Sequence, residues 1–324
     1  VSGSTDKPKP KVVGPKSAKR PFDPYVAAAI DRARAAQDME ARPWTSFAEG
    51  TEYFGIDVEC AAIGHGHGHR QRFPARVALV DGAGETILDE LVKFDEEVEV
   101  VSYLTPLTGL TAERCQSEAT KSLSEIADLV RSHLGEGAVL VGQSVKHDID
   151  WLDLKMGTDF ADYVDIARIF RQRVPRNPKL ASEVIRREMQ GGSGAAEKKK
   201  EEEDKSEKED DEPEPSSSNN GNGGRDGSSR PPDDDLVGFR TKYRLFSLRH
   251  TSLILLSVDV QSSTHDPTID AKYSVLLFDK YRNSSPAELR AVRDSLHRAP
   301  PTPGFAANNP VCDGVCMSRE GYKF

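Results

Sequence analysis

Asp57 and Glu59 stand two positions apart in Tyr53-Phe-Gly-Ile-Asp-Val-Glu-Cys60, an otherwise apolar stretch. On a β-strand successive side chains alternate, so the two carboxylates share one face while Ile56 and Val58 take the other. Side by side the acids repel, and burial makes that costly unless a cation sits between them. Hard oxygen ligands of this kind select Mg²⁺ or Mn²⁺, ions that normally hold a substrate phosphate as well. An isolated Asp-x-Glu is also common on solvated strands, so the pair needs company.

A second acid closes Val139-Leu-Val-Gly-Gln-Ser-Val-Lys-His-Asp148. The stretch reads as a buried strand, a short turn and the start of a helix, where the macrodipole alone would favour an acid. Asp150 and Asp153 compete with it, but Asp148 lies nearest the carboxyl end of the strand, where α/β sheets place their ligands. In the third segment, Thr264-His-Asp-Pro-Thr-Ile-Asp270, Asp266 makes an N-cap and Pro267 the first helical residue. His265 then falls at N′ and Asp270 at N4, two positions whose side chains meet. A base and a metal ligand would share one small space; the alternative is a histidine that only caps its helix.

The elements that must carry these residues read as mixed α/β. Tyr53–Val58, Arg76–Asp81 and Thr86–Lys93 are short, apolar-rich and separated by turn residues, which predicts a three-stranded meander. Ser122-Leu-Ser-Glu125 has the form of a capping box and opens an amphipathic helix. Ala138–Gly142 predicts a buried strand, followed by a helix from about Val145 with Ile149, Leu152 and Met156 on one face. Helices are predicted over Phe246–Leu256 and Pro267–Tyr281, and Ser285-Pro-Ala-Glu288 opens another. Hairpins followed by strand and crossover helix give a mixed sheet flanked by helices.

Composition bounds the rest. The chain has 324 residues, 36% hydrophobic and 30% charged, with a net charge of -9. Residues 191–235 hold 15 acids and 7 bases and nothing that could join a core, so they predict a disordered acidic insertion. The opening 24 residues hold 6 bases and 2 acids, a solvated tail or a weak nuclear address. No apolar run is long enough to predict a membrane span, and no apolar core follows the N-terminal lysines to predict a signal peptide. Four scattered cysteines predict a reducing, intracellular setting. Arg168, Arg171, Arg173, Arg176 and Lys179 form a basic run suited to tracking a phosphate backbone, or else a solvated linker.

Taken together, Asp-x-Glu, Asp and His-x₄-Asp resemble the DEDD 3′→5′ exonucleases of the RNase H-like fold, in their histidine-containing branch. Within it the chain looks most like the eukaryotic RNA exonucleases that process ribosomal and other structured RNAs. Supporting stretches are Ala75-Arg-Val-Ala-Leu-Val80, Thr105-Pro-Leu-Thr-Gly-Leu110, Val164-Asp-Ile-Ala-Arg168 and Phe246-Ser-Leu-Arg249. The resemblance implies an RNase H-like mixed five-stranded sheet flanked by helices, split by the long insertion. Residues 47–190 and 236–298 would be the two parts of the exonuclease domain, between a tail at 1–46 and another at 299–324. It assigns Asp57, Glu59, Asp148 and Asp270 to two Mg²⁺ (or Mn²⁺) ions and His265 to the general base, a task a near-neutral pKa suits. Glu59 would also touch the terminal ribose, and the backbone of Leu107, Thr108, Gly109 and Leu110 would line the pocket for the last nucleotide. The implied substrate is single-stranded RNA with a free 3′ end, trimmed to nucleoside 5′-monophosphates in the nucleus or nucleolus. Rival readings are a DNA-directed exonuclease of the same superfamily and a silent nucleic-acid-binding protein.

Two departures stand out: Gln143 where the family often has His, and Leu256-Ser-Val-Asp-Val-Gln261 for Leu-Gly-x-x-Ile-Gln, neither expected to touch a ligand. Three further signals are set aside. Gly64-His-Gly-His-Gly-His69 reads as a solvent loop, Cys312 and Cys316 as thiols in a loose tail, and Trp151 with Met156 as core.

Overall fold

The computed structural model describes residues 24–38, 47–66, 68–175, 179, 182–183, 186 and 241–317. The predicted acidic insertion at 191–235, most of the basic N-terminal tail and Arg176 lie outside them. Two compact units divide the chain. The first takes Val1–Arg32 and Pro175–Arg240. In it a helix opening at Pro24 buries Ala29 among Tyr25 and Ala28, and the Arg186 guanidinium lies 5.0 Å from the Tyr25 ring.

The second unit, Ala33–Val174 with Thr241–Phe324, holds a five-stranded mixed sheet. Its strands are β1 (Tyr53–Ala62), β2 (Arg72–Val80), β3 (Thr86–Leu91), β4 (Val139–Gly142) and β5 (Asp162–Asp165), in the order β3-β2-β1-β4-β5. The meander β1-β2-β3 is antiparallel, while β1, β4 and β5 run parallel. This is the mixed sheet expected from the sequence. β1 runs four residues further than predicted because its pairing with β2 continues through an irregularity between Glu59 and Cys60, out to Ala62 opposite Arg72.

Helices cover both faces. On one, Leu123–His133 starts at the predicted capping box and packs Ile126 and Val130 with Ile56, Val58, Leu79 and Leu140. On the other, Pro267–Tyr281 and Pro286–Arg298 place Val275, Phe278, Leu289 and Leu296 with Val80, Val139, Val141 and Val164. A Cβ at Gly55 would stand 2.6 Å from the Ala271 carbonyl and 2.7 Å from Val275. Glycine there lets Pro267–Tyr281 lie directly on the central strand, one residue from Asp270. The buried Phe278 side chain alone removes apolar area worth roughly 1.5 to 3 kcal/mol.

Three local expectations change. The helix after β4 spans only Lys146–Trp151; Leu152 caps it and Asp153 turns the chain at φ 49, so Met156 ends 60% exposed instead of on an apolar face. The helix expected from Phe246 begins at Leu248, because Ser247 caps it through the His250 N–H. Residues 311–317 are no loose tail. Val311–Cys312 and Val315–Cys316 pair as a hairpin about Asp313-Gly314, and Cys312, Val315 and Met317 are buried with Ala62 and Leu104. No helix among the described residues is long and apolar enough to cross a membrane.

Candidate active site

β1 is the strand at which the sheet changes from antiparallel to parallel. β4 pairs with it only at Tyr53, Phe54 and Gly55, which leaves the far half of that edge open. Lys146–Trp151 occupies the opening, and the Asp148 carboxylate accepts a hydrogen bond from the Val58 backbone there. Asp57 and Glu59 lie on the same stretch of β1, opposite Ala78 and Arg76 of β2. The third segment arrives from the other side, with Asp266 capping its helix through the Thr268 N–H and Pro267 in the first turn. His265 is tied by its own N–H to the Leu107 carbonyl at 2.7 Å.

All five residues picked out from the sequence meet in this place. Glu59, Asp148 and Asp270 are buried and Asp57 is half-buried. His265 Nδ1 lies 3.7 Å from Glu59 Oε1 and 3.9 Å from Asp270 Oδ2, at the N′ and N4 positions. Burial pushes the Asp57 carboxyl well above the usual range, and the charges of Asp148, Asp270 and Glu59 add to it. Asp148 moves the same way, by burial and then Glu59. Glu59 is pushed up to about 8 by burial and Asp270, against the pull of Arg76. Asp270 rises to about 7, mainly through burial.

A cluster in which every acid is driven toward its neutral form, despite the pull of Arg76 on Glu59, is short of positive charge. Asp270 Oδ1 is buried with no hydrogen bond, and Glu59, His265 and Asp270 each offer a ligand atom within 4.8 Å of the others. The donor set is hard oxygen with one imidazole, so the residues fit a divalent cation. Against expectation, His265 does not sit near neutrality: burial, and then the Arg249 charge, hold it down at about 4. The ring is therefore neutral at pH 7 and able to accept a proton.

Other sequence candidates divide. Thr108 and Leu110 are buried, and the Thr108 hydroxyl donates to the Tyr103 carbonyl, so only their backbone could face a nucleotide. The Leu107 carbonyl already holds His265, and Gly109, at φ 69, turns the chain beside Thr264. Arg168 is exposed, Arg171 and Arg173 are half-buried, and the Arg171 guanidinium lies 3.8 Å from the Tyr243 ring centroid.

Four supporting residues escaped notice. Gln261 Nε2 donates to Asp270 Oδ2 at 2.6 Å, so the stretch thought to avoid the ligands reaches one of them. Its Ser257, where the resembled family has glycine, sits at φ 59 as a left-handed helix cap. Arg76 makes a two-pronged ion pair with Asp89 and reaches Asp266 at 3.4 Å, fastening the third segment to β2 and β3. Asp165 accepts from the Ser144 and Ala167 N–H groups, and its charge bears on Asp148. Arg249, paired with Asp259, faces His265 electrostatically. The cross-strand pairing of Glu59 with Arg76 was a possible signal, but it needs the strand register.

No family model matches the chain. In sequence it is 38% identical over 96 residues to Small RNA degrading nuclease 2 of Arabidopsis thaliana, covering 30% of this chain and 19% of that protein. It is 32% identical over 164 residues to RNA exonuclease 4 of Gibberella zeae, 49% of each chain. Over 144 residues it is 28% identical to RNA exonuclease 4 of Saccharomyces cerevisiae, 42% of this chain and 47% of that one. The chain thus spans about half or less of these relatives' length. Among solved structures it is similar to the Neurospora crassa Pan2 catalytic unit, at a TM-score of 0.46 and 16% identity over 78% of this chain and 32% of that one. The sequence relatives support the DEDD-type 3′→5′ exonuclease family as the one to which this chain is related. Within that family, the similarity is to the eukaryotic RNA exonuclease branch.

Proposed function

We propose that the chain is a metal-dependent 3′→5′ exoribonuclease that removes nucleoside 5′-monophosphates from the 3′ ends of single-stranded RNA. The observation that carries this reading is the convergence of Asp57, Glu59, Asp148 and Asp270 on one buried site, with His265 at its mouth and an unpartnered carboxylate oxygen inside. The names of the sequence relatives point to RNA in preference to DNA. Processing of ribosomal RNA in the nucleus is part of the proposal, supported by the relatives named RNA exonuclease 4 and by the basic opening segment.

The four carboxylates would hold Mg²⁺ or Mn²⁺, two ions in the full site. Divalent ions held there would supply Lewis-acid stabilisation of phosphate charge and a more acidic attacking water. His265, neutral at pH 7, takes a proton from that water as its oxygen bonds to phosphorus. The bond from phosphorus to the 3′-oxygen breaks, and that oxygen leaves with a proton from solvent. Gln261 holds Asp270 in place, and Arg76 holds Asp266 and so the start of the His265 segment.

The test is digestion of single-stranded RNA and DNA, with free and blocked 3′ ends, in Mg²⁺ or EDTA. Cation-dependent loss of unblocked RNA with mononucleotide products is expected. Preference for DNA would select the rival exonuclease, and binding without turnover the silent protein.

A further inference from the structure

The rings of His69, His147 and Trp151 lie together beside Asp148, and the proposed chemistry uses none of them. His69 stacks on Trp151 with centroids 4.6 Å apart and planes 14° from parallel. It lies 4.9 Å from the His147 ring at 32°, and His147 is 6.4 Å from Trp151. Both histidines are exposed and Trp151 is half-buried. His147 and Trp151 are one turn apart on Lys146–Trp151, the helix that carries Asp148. His69 comes from the segment that follows β1, the strand of Asp57 and Glu59.

The histidine-glycine loop that delivers His69 is held in place. The Gln71 side chain accepts the Gly66 N–H, and the Arg72 guanidinium donates to the Gly66 carbonyl at 2.7 Å. Cys316 of the C-terminal hairpin donates its N–H to the His65 carbonyl at 2.9 Å. A Cβ at Gly64 or Gly66 would stand 2.9 or 2.6 Å from Gln71 Oε1, so the alternating glycines let the loop close on Gln71. His65 and His69 are exposed, in keeping with the solvent loop expected from the sequence, and these contacts also make the loop a mount for His69.

We propose that His69, His147 and Trp151 form a stacking platform for an unpaired base of the bound RNA strand. The proposal rests on the exoribonuclease reading and names a subsite for it. The exposed His69 and His147 rings, backed by the half-buried Trp151, offer any base a π partner without reading its edges, which suits an enzyme that shortens a strand stepwise. His147 precedes Asp148 directly on Lys146–Trp151, so the platform begins one residue along the chain from the carboxylate site. Arg70, exposed in the same turn, adds positive charge for the backbone.

The experiment uses the full chain and His69→Ala, a change at an exposed site. Binding of a labelled single-stranded heptanucleotide RNA is measured in EDTA, along with the same oligomer made abasic at each position in turn; KM and kcat are measured in Mg²⁺. His69→Ala is expected to weaken binding about tenfold and raise KM by a similar factor with kcat unchanged. His69→Tyr should restore both, and the loss should vanish for the oligomer abasic at one position. An equal loss for every abasic oligomer would mean a backbone contact and overturn the platform, as would unchanged affinity. Binding that needs added Zn²⁺ would assign the imidazoles to a metal and overturn it too. If RNA is trimmed normally by His69→Ala, the platform fails while the exoribonuclease reading stands. If the chain binds as described but trims nothing, the platform stands and that reading fails.

Discussion

Asp148 divides two regions that spend their burial differently. Inward, Asp57, Glu59, Asp148 and Asp270 lie near enough for their charges to act on one another, and each carboxyl is pushed toward its neutral form by loss of water and by its neighbours. Outward, His69 and His147 stay in solvent around a half-buried Trp151, and Arg168 is exposed on the chain beyond Asp165. Chemistry at phosphorus needs desolvated groups whose repulsion a cation relieves, while grip on a strand needs surfaces that remain open to it. Inner substitutions should therefore change turnover, and outer ones affinity.

The largest effect is expected from Asp57→Ala or Asp270→Ala, a fall in kcat of at least about a thousandfold. Substantial RNA trimming by either variant would break the contrast. His265→Ala should lower kcat by roughly 10² to 10⁴ with little change in KM, as removal of a proton acceptor does. An unchanged kcat would take the base from His265. Gln261→Ala removes the side-chain hydrogen bond to Asp270 and should weaken cation affinity by about 10 to 100-fold, measured by Mn²⁺ titration. Equal affinity would mean that the hydrogen bond does not tune the site.

The inner region also predicts a pH dependence with a definite sign. Glu59 is raised from its ordinary 4.5 to about 8, and Asp270 from 3.8 to about 7. Raised carboxyls contribute stability that is complete below their unfolded values and is lost as pH climbs through their folded ones. His265, lowered from 6.5 to about 4, contributes stability that is present above 6.5 and lost as pH falls through its folded value. Cation-free protein should thus melt at a higher temperature near about pH 6 than near about pH 8, and added Mg²⁺ should raise the melting point most at the higher pH. Equal melting points with no response to Mg²⁺ would remove the electrostatic argument. The smallest effect is expected in the basic run, where Arg171→Ala should reduce the salt slope of RNA binding by about one and leave kcat unchanged. A changed kcat would blur the two regions into one.

Much of this arrangement was legible in the residues. Alternation in Tyr53–Cys60 put Asp57 and Glu59 on one face, and the Asp266-Pro267 start put His265 and Asp270 at positions that meet; both are local rules acting within one strand pleat or one helical turn. The capping boxes at Ser122 and Ser285 set helix starts for the same reason. Met156 was misread because its helix stops early, and the anchoring of the histidine-glycine loop on Gln71 and the C-terminal hairpin was not legible because those partners come from elsewhere in the chain.

On its own, then, the sequence determined which acids could act together and which short elements present them. The tertiary structure alone decided that Arg76 faces Glu59, that Gln261 reaches Asp270, and that His69 comes to rest on Trp151. Those pairings depend on strand register and on helix placement over Gly55. Both are set by packing between segments distant in the chain, which no periodicity within a segment encodes.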